Sequence, residues 1–247
     1  MENITFKYSI VRFNDKWLYD TSKPFDFLKF ISFKGGAMNK KPFLFFIQKK
    51  RSVRNDLILS EDELWKGLRK NTRYDINKAK ELDIDFESVD LTQKASQKNS
   101  QEIIENFIFD YNNFISSKEL PIEKLSYSRL FKYRNNIIIT KALDKKSSSF
   151  LAQHVYFKTN EYAELLYSIV NTSFDNKLTG LANKHLHWND FILLKSYGVL
   201  TYDWGGIAID GSLPGITNFK LSFGGDDITY NIYNSPLYQL ALKLKSL

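Results

Sequence analysis

Reactive side chains are scarce in this chain of 247 residues, and that narrows the chemistry available to it. The chain has no Cys, which excludes thiol nucleophiles, disulfides and Cys-ligated zinc or iron–sulfur centres. Its three histidines are His154, His185 and His187. His185 and His187 are two apart in a predicted helix, so they point to different sides and cannot jointly bind one metal ion. We expect no metal centre, although the sequence leaves open a site in which carboxylates bind a magnesium ion.

His154 lies in the predicted strand LAQHVYF, where it alternates with Ala152 and Tyr156 and shares one sheet face with them. A histidine there is either a hydrogen-bonded core residue or, if the face lines a cleft, a proton acceptor for an amine near neutral pH. The nucleophile motif G-x-S-x-G is absent. Spacing alone assigns no Ser-His-Asp triad.

Phosphate-binding motifs are also missing. Neither G-x-x-x-x-G-K-[ST] nor G-x-G-x-x-G after a strand occurs, so a P-loop or Rossmann site has no local support. What remains is the polar loop 171–180, which joins a predicted strand to a predicted helix. Amides at a helix N-terminus bind anions without a fixed side-chain motif, so Lys177, Thr179 and Gly180 are candidates to hold a pyrophosphate. An ordinary strand-to-helix connection is the alternative.

Residues 203–226 contain six of the eleven glycines, with a lysine between two phenylalanines. Gly205 and Gly206 follow a predicted strand, where glycine allows a ligand to approach the backbone closely. Phe219 and Phe223 are four apart and share a face of a predicted short helix. Lys220 is turned away from that pair, and we expect it to face an anionic group such as a substrate phosphate. A solvated lysine beside turn glycines is the alternative.

The formal net charge is +7, which suggests anionic partners. A Lys-rich surface kept for solubility explains this charge equally well. Nucleic acid is a weaker alternative, because basic residues are spread over the chain and no zinc finger, RNP motif or basic zipper occurs. No apolar run approaches the roughly 18 residues of a membrane span, and the N-terminus lacks a signal-peptide pattern. We expect a cytoplasmic protein.

The pattern of helices and strands predicts a mixed α/β sheet. A capping box, Ser60 with Glu63, opens the first helix, and Gly198 follows the last long one. The predicted strands are 4–13, 27–33, 43–50, 84–90, 136–143, 149–158, 162–170 and 200–206. The predicted helices are 61–82, 101–115, 123–131 and 181–197.

Three segments together resemble the Fem-type acyltransferases of the GNAT superfamily. They are LRKNTRYDINKAKELDIDF (68–86), HWNDFILLKSYGVLTYDWGGI (187–207) and GITNFKLSFGGD (215–226), and they occur in the family's order. The resemblance implies a GNAT-like fold whose central sheet splays open to admit an acyl donor. The strands that part would be 162–170 and 200–206. Continuous hydrogen bonding between them would contradict an enzymatic function.

The resemblance also implies a division of the chain and a reaction. Residues 59–247 would form the acyltransferase domain, and 1–58 a strand-rich region that is a partial second unit of the same kind. The shorter relatives transfer an acyl group from acyl-CoA to the amino group of a nucleotide-linked amino sugar for surface polysaccharide. Transfer from aminoacyl-tRNA to a peptidoglycan precursor is the alternative. Neither the acyl group, the sugar nor the oligomeric state follows from the sequence.

Site residues follow from the same resemblance. An exposed amide near Tyr167 and Ser168 would polarise the donor carbonyl. The base that deprotonates the amine would be Asp203 or His154, with Glu164 behind them. The donor's pyrophosphate would lie on Asn176, Lys177, Leu178, Thr179 and Gly180, although the superfamily's usual Q/R-x-x-G-x-G/A is absent there. The residues assigned to the acceptor substrate are Lys70, Arg73, Tyr202, Trp204 and Lys220.

Overall fold

The computed structural model describes residues 1–8, 10–93, 96, 98–119 and 122–245. It divides into two compact units. The first comprises residues 1–52, 206–212 and 228–247, and the second comprises 53–205 and 213–227. The boundary predicted after residue 58 therefore differs from the observed one, because the C-terminal residues belong with the N-terminal segment. A shared origin of the first unit with a GNAT-like domain stays a prediction.

The strands and helices follow the order that the sequence predicts as far as residue 221, whereas β10 and α7 were not predicted. The strands are β1 Glu2–Tyr8, β2 Val11–Trp17, β3 Phe30–Lys34, β4 Phe46–Asp56, β5 Ile84–Asp90, β6 Ile137–Asp144, β7 Phe150–Lys158, β8 Tyr162–Val170, β9 Thr201–Asp203 and β10 Asp226–Asn234. The helices are α1 Glu61–Gly67, α2 Lys70–Lys80, α3 Ser100–Ser117, α4 Tyr127–Phe131, α5 Asn176–Ser196, α6 Pro214–Leu221 and α7 Pro236–Lys245.

The first unit is built on β1, β2, β3 and the end of β10. β1 and β2 pair antiparallel, β2 and β3 parallel, and β3 and β10 antiparallel. A small core of Ile31, Phe33, Phe45 and Tyr233 lies between the strands and the segment before β4. The predicted strand 4–13 is wrong, because it is the two arms of the β1–β2 hairpin; Ser9, between them, lies outside the described residues.

The second unit has a mixed sheet in the order β4, β9, β8, β7, β6, β5, in which the β8–β9 pair alone is parallel. Helices cover both faces. His154 on β7 bonds to Asn183 of α5, whereas its neighbour Gln153 bonds to Asp110 of α3. Since successive strand residues point to opposite faces, α5 and α3 lie on opposite sides of the sheet. The predicted mixed α/β fold with flanking helices is confirmed.

The helix predicted over 61–82 is two helices. The predicted capping box is present, with Ser60 bonded to the Glu63 amide and the Glu63 carboxylate bonded to the Ser60 amide. The helix breaks at Leu68, where the backbone is extended, and the Arg69 amide donates to the Ser222 carbonyl. The Arg73 guanidinium then donates to the carbonyls of Lys66 and Leu68, which the broken helix leaves without intrahelical partners.

β8 and β9 begin as a ladder and then part. Three register pairs, from Tyr162 with Thr201 to Glu164 with Asp203, join them. Beyond Asp203 the chain follows β4 instead, because the Trp204 amide donates to the Val53 carbonyl. β8 stays with β7, although a register shift leaves Leu166 as an extra residue, which defines a β-bulge. The predicted splay is confirmed, and the predicted strand 200–206 ends at Asp203.

Gly205 makes the divergence sterically feasible. It has a φ of +71°, and a β-carbon there would lie 1.9 Å from the Leu165 carbonyl oxygen. The backbone that approaches Gly205 is that of β8. The predicted approach of a ligand to Gly205 and Gly206 stays a prediction.

Gly205→Ala should therefore lower the free energy of unfolding by more than about 3 kcal/mol, since the left-handed backbone and the overlap with Leu165 both oppose it. Gly211→Ala is the matched control, because its φ of +72° is nearly the same while no atom lies within 4 Å of its added β-carbon. The control should cost about 1 kcal/mol. Urea unfolding measures both, and equal losses would contradict a contact-specific role for Gly205.

Candidate active site

A crevice of about 400 Å³ lies where β8 and β9 part. Residues 165–168 of β8 form one wall, and Trp204 with Gly205 form the other. Asn183 and His187 of α5 and one face of α6 complete the lining. Amide groups of a bulged strand, an imidazole and a lysine therefore meet around one space. This combination can bind a carbonyl group and an amine together.

Lys220 of α6 is half-buried in the crevice wall, which disfavours the alternative of a solvated lysine. That it faces a substrate phosphate stays a prediction. Its Nζ donates to the Trp204 carbonyl at 2.6 Å. Burial lowers its pKa to about 8, while the charges of Asp203 and Glu164 act in the opposite direction. At neutral pH it is an ammonium held beside the crevice. Such a cation can stabilise negative charge on a phosphate or on a developing oxyanion.

Asp203, a predicted base, is a structural carboxylate. It is fully buried and accepts hydrogen bonds from Arg54 Nε at 2.7 Å, Tyr162 OH at 3.0 Å and the Gly205 amide at 2.9 Å. Both carboxylate oxygens are therefore engaged by groups of the protein. Asp203 instead fixes the turn at which β9 ends. Glu164 Oε2 lies 2.9 Å from the same Tyr162 hydroxyl, whose single proton can serve only one of the two carboxylates. Glu164 also acts on Lys220 through its charge.

His154, the other predicted base, lies beneath the crevice and has no exposed surface. Its Nδ1 is 2.6 Å from Asp190 Oδ2, and its Nε2 is 2.8 Å from Asn183 Oδ1. Both ring nitrogens are therefore engaged, so His154 cannot take a proton from a substrate directly. The shared face with Ala152 and Tyr156 is confirmed, since Tyr156 OH also donates to Asp190.

A chain of hydrogen bonds leads from Asp190 back to the crevice. Tyr156 OH lies 2.8 Å from Tyr202 OH, which lies 3.0 Å from His187 Nδ1. Burial and the charge of Asp190 raise the pKa of both tyrosines well above its usual value, so both hydroxyls keep their protons. Tyr202 has no exposed surface, which corrects its predicted contact with substrate.

The direction of these bonds fixes the tautomer of His187. Tyr156 gives its only proton to Asp190, so its oxygen must accept from Tyr202. Tyr202 then has no proton left and must accept from His187 Nδ1–H. Burial, with the charges of His154 and Lys220, holds the pKa of His187 well below its usual value. The ring is neutral, and Nε2 is the nitrogen with a lone pair to offer in the crevice.

Aromatic rings hold this histidine in place. His187 stacks on His154 with ring centroids 3.9 Å apart, and its other side meets Trp204 at 4.6 Å. Phe219 and Phe223 pack on each other and on Trp204, as their spacing predicts. Trp204 is itself anchored by Nε1–H to Asn55 Oδ1 at 2.8 Å. The rigid aromatic packing leaves His187 little freedom to rotate.

Tyr167 and Ser168 lie in the β8 wall, as predicted. Both remain in register with β7, so the residue displaced from the ladder is Leu166 rather than either of them. The ring of Tyr167 packs on Tyr111 and Phe107 of α3, with centroids 5.0 and 6.0 Å away, and burial raises its pKa to about 12. Tyr167 therefore contributes backbone to the crevice.

The predicted pyrophosphate loop is largely helix. α5 begins at Asn176, five residues earlier than predicted, because Asp175 caps it: its carboxylate accepts from the amides of Lys177 and Leu178. A carboxylate on these amides opposes a pyrophosphate at the same place. Thr179 is buried and its hydroxyl bonds to the Asp175 carbonyl, while Gly180 is exposed. None of residues 176–180 is among those that line the crevice.

Lys70 and Arg73 are not in the crevice lining either. Lys70 is exposed at the start of α2. The Arg73 guanidinium is committed to the carbonyls at the end of α1, which corrects its predicted role as a phosphate ligand. His185 and His187 do point to different sides, as predicted: the ring of His185 packs on Phe86 instead.

Among the described residues, His154, His187 and Asp190 bring their ligand atoms within 4.8 Å of one another. The contacts fit a hydrogen-bond network better than a metal. Asp190 Oδ2 already accepts two hydrogen bonds of 2.6 Å, and both ring nitrogens of His154 are hydrogen-bonded. A metal ion would have to break these bonds in a site without exposed surface.

Sequence reasoning missed three residues of the site: Asn183, His187 and Asp190. They recur on α5 at spacings of four and three, which places them on one helix face. That spacing was a usable signal. Their partner His154 is on β7, 36 residues from Asp190 in the chain, so only the fold shows the network.

Among solved structures, one of FemX matches this chain with a TM-score of 0.57. The fold resembles that of FemX. Identity is 12% over 78% of this chain, which spans only 63% of the FemX chain. No protein-family model matches the sequence, and no curated protein is similar to it in sequence.

Two further structures share this Fem-like fold. One is the C-terminal domain of a protein described as a lysylphosphatidylglycerol synthetase from Agrobacterium fabrum, with a TM-score of 0.54 and 10% identity over 88% of this chain and 71% of that one. The other is L-PGS from Bacillus licheniformis, with a TM-score of 0.51 and 10% identity over 83% and 68%. Identities this low show the fold alone.

Asp190→Asn should lower the free energy of unfolding by about 3 kcal/mol, because it removes the buried negative charge that strengthens the two short bonds from His154 and Tyr156. Asp75→Asn is the control: Asp75 also pairs with a cation, Lys184, but both side chains are about a quarter exposed. It should cost less than about 1 kcal/mol. Chemical denaturation distinguishes them, and a loss from Asp190→Asn no larger than the control's would contradict the network.

Proposed function

We propose that the crevice transfers an acyl group from an activated carrier to a primary amine. The observation that carries the proposal is the parting of β8 and β9 beside Lys220 and His187. A carbonyl against the β8 wall would meet an amine entering from the Gly205 side. The amine nitrogen attacks the carbonyl carbon, the C–N bond forms, and the carrier's C–S or C–O bond breaks.

Two side chains have roles in this reaction. The Lys220 ammonium stabilises the oxyanion that develops on the carbonyl oxygen, or a phosphate next to it. His187 Nε2 accepts the proton that the amine loses once its nitrogen has attacked and become positively charged. Asp190, Tyr156 and Tyr202 are positioning residues, because they hold the Nδ1–H tautomer that leaves Nε2 as the acceptor.

For the substrates, we retain acyl-CoA as the donor and a nucleotide-linked amino sugar as the acceptor. The Asp175 cap is a specific observation against a CoA pyrophosphate at the start of α5. It gives weight to the second candidate, an aminoacyl group carried on tRNA. The likeness in fold to FemX, to a domain described as part of a lysylphosphatidylglycerol synthetase and to L-PGS supports that candidate.

One assay separates these donors. Acyl-CoAs are mixed with nucleotide-linked amino sugars while thiol release is followed, and aminoacyl-tRNAs are tested in parallel with amine acceptors while deacylation is followed. Amine-dependent thiol release supports the first donor, and amine-dependent deacylation supports the second. If no donor and acceptor pair gave either reaction, that result would contradict acyl transfer.

Lys220 should give a descending limb to the pH profile of kcat. The ammonium is present below its pKa of about 8 and is lost above it, so activity falls as pH rises through about 8. Lys220→Arg, which stays charged, should move that limb to higher pH. Lys220→Met should lower kcat about a hundredfold below pH 8, and the descending limb should disappear from its profile. Lys184→Met, outside the crevice lining, is the control and should leave the pH profile unchanged. If the descending limb of Lys220→Arg stays at the same pH as that of the unaltered protein, Lys220 is not the group that causes it.

His187→Gln should lower kcat about a hundredfold and leave the donor's KM nearly unchanged, because the amide can still bond to Tyr202 but cannot accept a proton. His185→Gln is a matched control on the same helix, since His185 is also buried and its pKa is lowered to about 4. Steady-state kinetics of both variants provide the test. Equal losses in the two would show that His187 is only a packing residue.

A further inference from the structure

The positive charge of this protein is concentrated in one segment. Residues 21–51 contain eight Lys and Arg residues and a single acidic residue, Asp26, so their formal charge is +7. The whole chain also carries +7, which leaves the other residues neutral in sum. Basic residues occur along the whole chain, but their excess over acidic residues lies in this one segment. The segment belongs to the first unit.

The same segment exposes large apolar side chains. Six of them are between 49% and 71% exposed: Phe25, Leu28, Phe43, Leu44, Phe46 and Ile47. We call these six residues the apolar patch; Phe46 and Ile47, which are consecutive in β4, extend it over both sides of that strand. Exposed lysines flank it in sequence, among them Lys40, Lys41 and Lys49. An apolar surface of this kind bordered by positive charge marks a binding surface rather than a solubilising one.

The two stretches that form the patch are held together. Phe27 packs edge-on against Phe43 with ring centroids 5.4 Å apart, and it lies 6.4 Å from Phe25. Phe25 and Leu44 have φ values of +66° and +61°, a conformation that side chains other than glycine adopt at a cost. The backbone is therefore strained at two residues whose side chains it directs into solvent. Such strain persists where the displayed side chain has a use.

We propose that the apolar patch docks on an anionic membrane surface. Phenylalanine and aliphatic side chains enter the boundary between headgroups and acyl chains, and the surrounding lysines bind the acidic headgroups. Within the part of the chain that the structure describes, no helix is long and apolar enough to cross a membrane, so docking would be peripheral. Docking is independent of acyl transfer at the crevice.

Two other partners fit the patch less well. Half of the patch consists of Leu28, Leu44 and Ile47, which have no aromatic ring on which a base can stack. These residues would make no stacking contact with a nucleic acid. A symmetric pairing of two copies would place a +7 segment against its own copy, which is repulsive. An acidic bilayer complements both the charge and the apolar side chains.

Vesicle co-sedimentation of the intact chain tests the proposal. Vesicles of phosphatidylcholine containing phosphatidylglycerol should bind at least about tenfold more tightly than phosphatidylcholine alone, and added salt should weaken this binding. Phe43→Ser combined with Phe46→Ser should weaken it about tenfold. Phe109→Ser is the matched control, because Phe109 is 67% exposed on α3 of the second unit. It should leave binding unchanged.

A charge variant keeps the test decisive if the serine variant does not fold. Lys40→Glu with Lys41→Glu should weaken binding to the anionic vesicles by about tenfold or more, whereas Lys124→Glu with Lys146→Glu makes the same change in net charge elsewhere and should not. Equal binding to neutral and anionic vesicles would overturn the proposal, as would equal losses in variants and controls. The absence of vesicle binding would also overturn the proposal. In that case, binding of oligonucleotides would indicate a nucleic-acid surface, and a dimer that the patch variants dissociate would indicate an interface between two copies.

Discussion

The close approach of Gly205 to the Leu165 carbonyl is the constraint on which the site depends. Three residue pairs join β8 to β9, and then β9 stays with β4 while β8 stays with β7. Only a residue without a β-carbon allows the chain to turn at this point. The crevice, and with it the backbone of residues 165–168 as a wall, exists because two strands stop pairing here.

The groups around the crevice are arranged before any substrate binds. Asp190 holds His154 and Tyr156, and through Tyr202 it determines which nitrogen of His187 carries the proton. Lys220 is kept charged near two carboxylates although burial lowers its pKa. Hydrogen bonds fixed in advance cost no reorganisation during the reaction, which is the main advantage of a buried polar network in an enzyme.

The sequence predicted local structure well where one segment determines it. The capping box at Ser60, the three-strand meander from 136 to 170 and the helix end before Gly198 needed only periodicity and turn chemistry. It failed where distant residues decide. The break at Leu68 depends on Ser222, and the engagement of both ring nitrogens of His154 depends on contacts between β7 and α5. The resemblance to Fem-type enzymes predicted that β8 and β9 part. No single segment of the sequence could have predicted this.

The central claim is that the reaction occurs between β8 and Gly205. Its most direct test is a crystal structure with an unreactive mimic of the tetrahedral adduct, built from whichever donor and acceptor support turnover. The account predicts that the mimic's junction lies in the crevice, with its oxyanion within hydrogen-bond distance of Lys220 Nζ and its nitrogen facing His187 Nε2. A mimic bound outside the crevice, or a crevice closed by continuous pairing of β8 with β9, would contradict it.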